Sequence, residues 1–348
     1  MKYMVYGAYG YTGKLVVEQA KKKGHDLVLA GRNQQELEAL SEATGYSSMT
    51  FDLSDTSLLV EALSKVKAVL HCAGPFSDTA KPMVEACIQA GVHYIDITGE
   101  VEIFEQIATY DEQANQAGIM LLPGAGFDVV PTDCMAVFLK EKMPDATSLE
   151  LGFKSSGGWS KGTALTMVET IPKGGAVREN GKIRKVPNAY KIKWWQVEGK
   201  NLSFVSIPWG DVATAYRSTG IPNITTYTAL PPRTIQQMKN TDWFRPVMGL
   251  GLVQKILKNQ TRKRFTGPDK AARESGSSYI WGEATDSEGK SIKAELRTRE
   301  GYLLTALTST LIMQKIIEGR AIPGYQTPAK AFGHGLISEI EGTELKVL

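Results

Sequence analysis

The first 135 residues alternate between short apolar runs and helical stretches, and this alternation most limits what the chain can fold into. Each run is rich in β-forming residues, and most are followed by apolar residues at helical spacing. The strands are predicted at residues 2–6, 26–30, 48–52, 68–73, 93–97 and 119–122. Helices are predicted between them at residues 13–23, 34–44, 57–64, 81–90 and 103–117. Strands that alternate with helices form a parallel, doubly wound sheet. Right-handed crossovers place the carboxyl ends of its strands, where ligands bind, at one edge.

After about residue 145 the pattern changes to strands joined by turns such as Glu179-Asn180-Gly181, with fewer helices. We therefore predict an α/β chain of two domains. An N-terminal Rossmann domain with a doubly wound parallel sheet covers residues 1–135 and is joined by the C-terminal tail, 320–348. A second, α+β domain covers residues 136–319 and is built on a mostly antiparallel sheet. A length of 348 residues suits two buried cores.

Composition excludes several classes of protein. The net charge of +3 is too mild to indicate a nucleic-acid partner. No apolar run approaches the roughly 18 residues of a transmembrane helix, and the first residues lack the pattern of a secretion signal. The three cysteines are far apart and the four histidines lie in unrelated segments, so we expect no metal site and a reducing compartment. We expect a cytoplasmic protein.

Three glycines follow the first predicted strand in a Gly-x-x-Gly-x-x-Gly pattern: Gly7, Gly10 and Gly13. In a nucleotide-binding turn the first glycine permits the bend, the second lets the backbone approach a pyrophosphate, and the third allows close helix packing. The following helix offers backbone N–H groups to the phosphates. Glycines in such a turn can also serve packing alone. The position at the first strand–helix turn favours dinucleotide binding by the whole turn, including Tyr9, Tyr11 and Thr12.

The ends of the next strands indicate which dinucleotide is bound. The second strand ends in Gly31-Arg32-Asn33, without the acid that usually binds the ribose of NAD. An arginine can pair with a 2′-phosphate, so Arg32 favours NADP, although it could also be a solvated helix start. Asp52 follows the third strand, where it could flank adenine or cap a helix. The fourth strand runs into Ala73, Gly74, Pro75 and Phe76, a segment predicted to lie under the nicotinamide-side ribose or to be a plain turn.

Several motifs resemble the saccharopine dehydrogenase-like oxidoreductases, a family that includes trans-acting enoyl reductases. They extend over nearly the whole chain and comprise residues 7–13, 30–32, 72–76, 94–100, 124–133, 279–284, 300–306 and 323–328. The resemblance implies hydride transfer from NADPH to a C=N, C=C or C=O bond of a small or acyl substrate. The substrate-binding arginines of saccharopine-forming enzymes have no recognisable counterpart here. Many such reductases pair an exposed strand of the second domain across a dimer, so a homodimer is expected.

Three side chains are candidates for the chemistry. Glu100 and Asp128 each follow the carboxyl end of a predicted strand, where an acid could deliver a proton or hold a cationic amine. Either could instead satisfy loop or helix N–H groups. Lys161 lies in a glycine-rich loop with Trp159 and could hold an anionic group, unless the loop is merely a surface turn. Because no proton donor is unambiguous, a non-catalytic sensor of NADP(H) is the alternative function.

Overall fold

The computed structural model describes residues 2–158 and 160–348, so Trp159 of the predicted loop lies outside the described residues. The chain divides into two compact units. The first unit comprises Met1–Val130 and Tyr302–Ile340, and the second comprises Pro131–Gly301 and Glu341–Leu348.

The strands and helices follow in chain order. The strands are β1 (Tyr3–Tyr6), β2 (Leu27–Gly31), β3 (Ser48–Thr50), β4 (Ala68–His71), β5 (His93–Asp96), β6 (Met120–Leu122), β7 (Ser148–Ser155), β8 (Gly175–Glu179), β9 (Lys182–Val186), β10 (Ile192–Val197), β11 (Lys200–Ser206), β12 (Asn223–Ala229), β13 (Ser277–Thr285), β14 (Ser291–Arg299), β15 (Gly324–Tyr325) and β16 (Glu344–Val347). The α-helices are α1 (Tyr11–Lys22), α2 (Gln34–Thr44), α3 (Thr56–Leu63), α4 (Phe76–Ala90), α5 (Val101–Ala108), α6 (Asp111–Gln116), α7 (Val130–Lys142), α8 (Lys161–Thr170), α9 (Asp211–Thr219), α10 (Pro232–Thr241), α11 (Arg245–Met248), α12 (Gly251–Arg264), α13 (Lys270–Ser275), α14 (Gly301–Lys315) and α15 (Pro328–Phe332). Shorter helical turns occupy Ile171–Lys173, Asp242–Phe244, Ile316–Arg320 and His334–Glu339.

The first unit contains a seven-stranded sheet in the order β15-β6-β5-β4-β1-β2-β3. Its neighbouring strands are parallel throughout the described pairs. Strands β1, β2, β4 and β5 are buried along their whole length, as expected for central strands covered on both faces. The carboxyl ends of β1, β2, β4, β5 and β6 therefore meet at one edge of this sheet, and they carry the candidate residues.

The second unit contains a sheet in the order β10-β11-β12-β7-β13-β14-β16, with β8 and β9 joined at β12. Among the described pairs, β7 and β12 run parallel and the others run antiparallel. The predicted fold class, a Rossmann sheet followed by a mostly antiparallel α+β unit, is confirmed.

The observed division differs from the predicted boundaries at both ends of the second unit. Helix α14, which was expected in the second domain, belongs to the first unit because its hydroxyls bind the loop after β6. Within the tail, β15 extends the first sheet beside β6, as a tail packed on the first domain requires. Strand β16 instead pairs with β14, so the last residues belong to the second sheet.

Candidate active site

The turn after β1 is so tight that two of its residues have no room for a side chain. Gly7 has a φ of +80°, and a Cβ there would lie 2.9 Å from the backbone nitrogen of Ala73. Its N–H donates to the carbonyl of Ala30 at 2.8 Å. A Cβ on Gly13 would lie 2.2 Å from the carbonyl oxygen of Gly7. Since main-chain atoms occupy both positions, only glycine fits them without a shift of the backbone.

Helix α1 begins directly after this turn. Gly10 is its N-cap residue, and the N–H of Gly10 donates to the carbonyl of Gly7 at 3.0 Å. The N–H groups of a first helical turn have no intrahelical acceptor, and the helix dipole makes this end partly positive. The first turn of α1 carries no acidic residue. These features fit a dinucleotide pyrophosphate, which Tyr11, Thr12 and Gly13 would hold through their backbone.

Tyr9 joins the glycine turn to the end of β2. A Cβ on Gly31 would lie 2.5 Å from the Tyr9 ring, so the ring lies directly against that glycine. The Tyr9 hydroxyl accepts the N–H groups of Arg32 and Asn33, each at 3.3 Å. The side chain of Asn33 in turn caps α2 by accepting the N–H of Glu36 at 3.2 Å. Tyr9 therefore positions the backbone that carries Arg32.

Arg32 and Asp52 lie together at the ends of β2 and β3. The Nη1 of Arg32 is 3.9 Å from Oδ2 of Asp52, and the two side chains are 69% and 52% exposed. Asp52 also accepts the N–H of Ser54 at 3.0 Å, and this hydrogen bond is the main reason that the pKa of Asp52 is lowered. The cap of α3 is Asp55, which accepts the N–H of Leu58 at 3.0 Å. An exposed ion pair of this length is weak, so Arg32 can turn towards another anion.

The segment after β4 is held by a threonine of α4. Thr79 donates its hydroxyl to the carbonyl of Ala73 at 2.7 Å, and it lies 2.9 Å from Nε2 of His71. The Gly74–Pro75 peptide bond is cis, and Phe76 is the first residue of α4, with its ring edge on His71. Burial lowers the pKa of His71 to about 3, so this imidazole is neutral at physiological pH. Ala73 adjoins Gly7, which places this segment beside the glycine turn.

Asp96, at the end of β5, binds the next two loops at once. Its Oδ1 accepts the N–H groups of Thr98 and Gly124, each at 2.9 Å, and its Oδ2 accepts the hydroxyl of Tyr94 at 2.6 Å. The carbonyl of Asp96 accepts the N–H of Ala125 at 2.7 Å. Burial raises the pKa of Asp96 to about 6, while these three donors oppose the rise. Asp96 therefore fixes the loops after β5 and β6 relative to each other.

These two loops bring Glu100 and Asp128 into electrostatic contact. Glu100 occupies the N-cap position of α5, and Asp128 precedes α7. A Cβ on Gly99 would lie 2.5 Å from Oδ2 of Asp128, so the carboxyl group lies directly on that glycine. Burial, followed by the charge of Glu100, raises the pKa of Asp128 to about 7. The structure thus joins two of the predicted catalytic residues and gives one of them the pKa of a proton donor near neutral pH.

Helix α14 supports the Asp128 loop from the C-terminal part of the first unit. The hydroxyl of Thr305 accepts the N–H of Phe127 at 2.9 Å, and Thr308 donates to the carbonyl of Ala125 at 2.8 Å. A Cβ on Gly126 would lie 2.7 Å from a carbon of Thr305. Residues 125–127, which lead into Asp128, are therefore packed against α14 and hydrogen-bonded to it.

The third catalytic candidate lies in the second unit. Lys161 is the first residue of α8 and its side chain is exposed. The preceding Ser160 caps that helix by accepting the N–H of Thr163 at 3.2 Å. Lys161 belongs to the second unit, whereas Glu100 and Asp128 belong to the first. Across the described residues, His, Cys, Asp and Glu side chains form no group of three or more that could hold a metal ion.

Sequence reasoning missed the residues that position the site. Asp96 was taken only as part of a strand, although an acid two residues before Thr98 at a strand end is a signal for a loop-binding carboxylate. Its bond to Gly124 spans 28 positions, and that of Thr305 to Phe127 spans 178, so no local pattern reveals them.

The first 122 residues match a known domain. Residues 3–122 match the family model described as the saccharopine dehydrogenase NADP binding domain. A Mycobacterium tuberculosis protein whose name assigns it to the trans-acting enoyl reductases is 33% identical over 184 residues, which is 48% of this chain and 43% of that protein. The mouse saccharopine dehydrogenase-like oxidoreductase is 32% identical over 160 residues, 40% of this chain and 37% of that protein. The matches thus span less than half the length of these relatives.

The fold also resembles a solved enzyme over its full length. The apo saccharopine dehydrogenase (L-Glu forming) of Saccharomyces cerevisiae covers 100% of this chain and 99% of its own, with a TM-score of 0.70 and 11% identity. At that identity the likeness concerns the fold alone. Residues 3–122 thus match the saccharopine dehydrogenase NADP binding domain, and over part of its length the chain is similar in sequence to saccharopine dehydrogenase-like oxidoreductases.

Proposed function

We propose that this chain is an NADPH-dependent reductase that directs hydride to a C=N, C=C or C=O bond of a small or acyl substrate. The observation that carries the proposal is the glycine turn, where Gly7 and Gly13 have no space for a Cβ and α1 begins immediately afterwards. The relatives' names, an oxidoreductase and an enoyl reductase, support the same chemistry. When bound, NADPH supplies the hydride.

Arg32 selects the phosphorylated cofactor in this proposal. Its guanidinium is exposed and its contact with Asp52 is long, so exchanging that partner for a 2′-phosphate costs little. A phosphate offers a guanidinium two parallel charge-assisted hydrogen bonds. Tyr9 keeps the backbone of Arg32 in place. Asp52, which lies beside Arg32, would flank the adenine. The segment from Ala73 to Phe76, which adjoins the glycine turn at Gly7, would lie under the nicotinamide-side ribose.

Asp128 delivers the proton that the reduced substrate requires. With a pKa of about 7, roughly half of its carboxyl groups hold a proton at neutral pH. Burial is the main cause of this raised pKa, and the charge of Glu100 adds to it because a second negative charge nearby would be unfavourable. Asp96 and Thr305 hold the loop that carries Asp128 in one position by accepting the N–H groups of Gly124 and Phe127.

Four further predictions belong to the same proposal. The second unit would bind the substrate, and Lys161 would hold an anionic group of it. The chain would form a homodimer and reside in the cytoplasm. In the described residues, no helix combines the length and the apolar character that crossing a bilayer needs.

The test is the transfer of deuterium from labelled NADPH into products of three substrate classes: imines, enones and enoyl thioesters. We expect label in the product of one class. Asp128→Asn should keep NADPH binding but slow turnover by about 100-fold or more, the range of general acid catalysis. Asp145→Asn changes an exposed acid of the second unit and should leave both unchanged.

Two results would contradict the proposal. If the protein binds NADPH but transfers no label to any of the three classes, the sensor function is favoured instead. If Asp128→Asn turns over at the wild-type rate, the proton comes from another group.

A further inference from the structure

Exposed large apolar side chains are concentrated in one segment of the second unit. Six of them lie within fourteen residues, and Trp243 and Leu252 are each 73% exposed. The six are Trp243, Phe244, Val247, Leu250, Leu252 and Ile256, and we call residues 243–256 the apolar segment. Single exposed apolar residues are ordinary on a protein surface, but a concentration of this kind marks a surface that binds something.

Helix α12, which ends the apolar segment, is fixed to the protein by its polar side chains. Gln254 donates to the carbonyl of Val168 in α8 at 3.0 Å, and Lys258 pairs with Glu169 at 2.6 Å. Leu252 and Ile256 are four residues apart and so share one side of the helix, where both are exposed. The helix therefore holds Leu252 and Ile256 outward, although large apolar residues of a surface helix normally face the protein core.

Basic residues flank these apolar side chains in the sequence. From Lys239 to Phe265 the sequence has seven lysines and arginines and one acid, Asp242. Asp242 is already paired with Arg245 at 3.0 Å. Lys255 is exposed between Leu252 and Ile256. The charge of this region is therefore strongly positive, and it complements an anionic surface.

We propose that the apolar segment docks this protein on the surface of an anionic lipid bilayer. Outward Trp, Phe and Leu side chains next to lysine and arginine are the pattern of an interfacial helix, which lies in the headgroup region. Tryptophan favours that region because one end of its ring system is polar. A second copy of this chain fits poorly, since two such basic regions would face each other across a twofold axis. The proposal does not depend on the proposed reductase activity.

Flotation of the full chain with lipid vesicles tests the proposal. We expect the protein to float with vesicles of phosphatidylcholine and phosphatidylglycerol and to remain behind with phosphatidylcholine alone. The double variant Leu252→Ser with Ile256→Ser should weaken binding by about tenfold or more, given the apolar area removed. Lys255→Glu should weaken binding to anionic vesicles, and added salt should do the same.

Matched variants control for surface changes in general. Leu58→Ser alters an apolar residue that is 39% exposed in the first unit, and Lys200→Glu alters an exposed lysine of β11. Both should float like the unaltered protein, and all variants should keep its thermal unfolding. The proposal is overturned if the unaltered chain does not float with anionic vesicles or if the double variant floats equally well. It is also overturned if this segment binds an acidic protein or a second copy of the chain but does not bind vesicles.

Discussion

Replacing Gly13 by alanine tests the tight contact between β1 and α1 most sharply. The added Cβ would lie 2.2 Å from the Gly7 carbonyl oxygen and 2.8 Å from that of Ala8, while ordinary contacts are 3.4–4 Å. Both obstacles are main-chain atoms, so α1 must move by about 1 Å relative to the turn. That movement also strains the hydrogen bond from Gly10 to Gly7.

The expected cost follows from these contacts. Overpacking costs about 1–3 kcal/mol, and the weakened hydrogen bond adds up to about 1 kcal/mol. The higher helix propensity of alanine offsets this cost by about 1 kcal/mol of stability. We therefore expect Gly13→Ala to lower the free energy of unfolding by up to about 3 kcal/mol. It should also weaken NADPH binding by at least about tenfold, because the first-turn amides move.

Urea unfolding and a fluorescence titration with NADPH measure the two effects. Gly335→Ala is the matched control, since no atom lies within 4 Å of its added Cβ and it belongs to the same unit. The control should change the free energy of unfolding by less than about 0.5 kcal/mol. If Gly13→Ala matched the control in both stability and NADPH affinity, the packing argument for the turn would be refuted.

The remaining predictions concern the acids. Asp128 has a raised pKa, so its folded form binds more protons than its unfolded form between about pH 4 and pH 7, and stability should fall as pH rises through that range. Asp128→Asn should flatten that part of the curve of unfolding free energy against pH; an unchanged slope would contradict the assignment. Asp96→Ala leaves the N–H groups of Thr98 and Gly124 without their buried acceptor and should cost about 3 kcal/mol or more in urea unfolding. Tyr94→Phe, which removes only the donor to Asp96, should cost about 1 kcal/mol, and equal losses in the two variants would show that Asp96 does not join the loops.

Six of the seven strands of the first sheet were predictable because each is encoded locally, whereas the two-residue strand β15 was not predicted. Helix α2 occupies the predicted residues 34–44, since Asn33 caps its start and Gly45 adopts the left-handed conformation at its end. Helix α4 begins at Phe76 rather than at the predicted residue 81, because Pro75 is its N-cap residue and Pro82 is accommodated inside the helix. The helix predicted over 103–117 is two helices, α5 and α6, separated at residues 109–110.

Part of the second unit was less predictable because three of its strands, β8, β9 and β16, are short and carry charged residues. The turn Glu179-Asn180-Gly181 was recognised, yet the hairpin of β8 and β9 that it joins was not, since β9 reads Lys-Ile-Arg-Lys-Val and lies at an exposed edge. Helix α7 has little amphipathic pattern, because it is largely buried on all sides. Three tryptophans of the second unit have different surroundings. Trp194 is exposed, Trp195 stacks on Trp281 at 4.4 Å, and Trp209 contacts Phe153.

For the site itself, sequence reasoning named the glycine turn, Arg32, Glu100 and Asp128, all of which lie at strand ends of one parallel sheet. It did not reveal how they are held, because Tyr9, Asp96 and Thr305 act through contacts between distant segments. Such contacts depend on the assembled fold and leave no periodic signal.

The central claim is that the turn after β1 binds a pyrophosphate while Arg32 selects the 2′-phosphate. Its most direct test is the pair of dissociation constants for NADPH and NADH, measured with the unaltered protein and with Arg32→Ala. We predict that NADPH binds at least about tenfold more tightly than NADH. Arg32→Ala should remove this preference by weakening the binding of NADPH alone. The expected loss of binding free energy is about 1.5–3 kcal/mol, the value of a hydrogen bond to a charged group. Equal affinities in the unaltered protein, or an equal loss for both cofactors in the variant, would contradict the account.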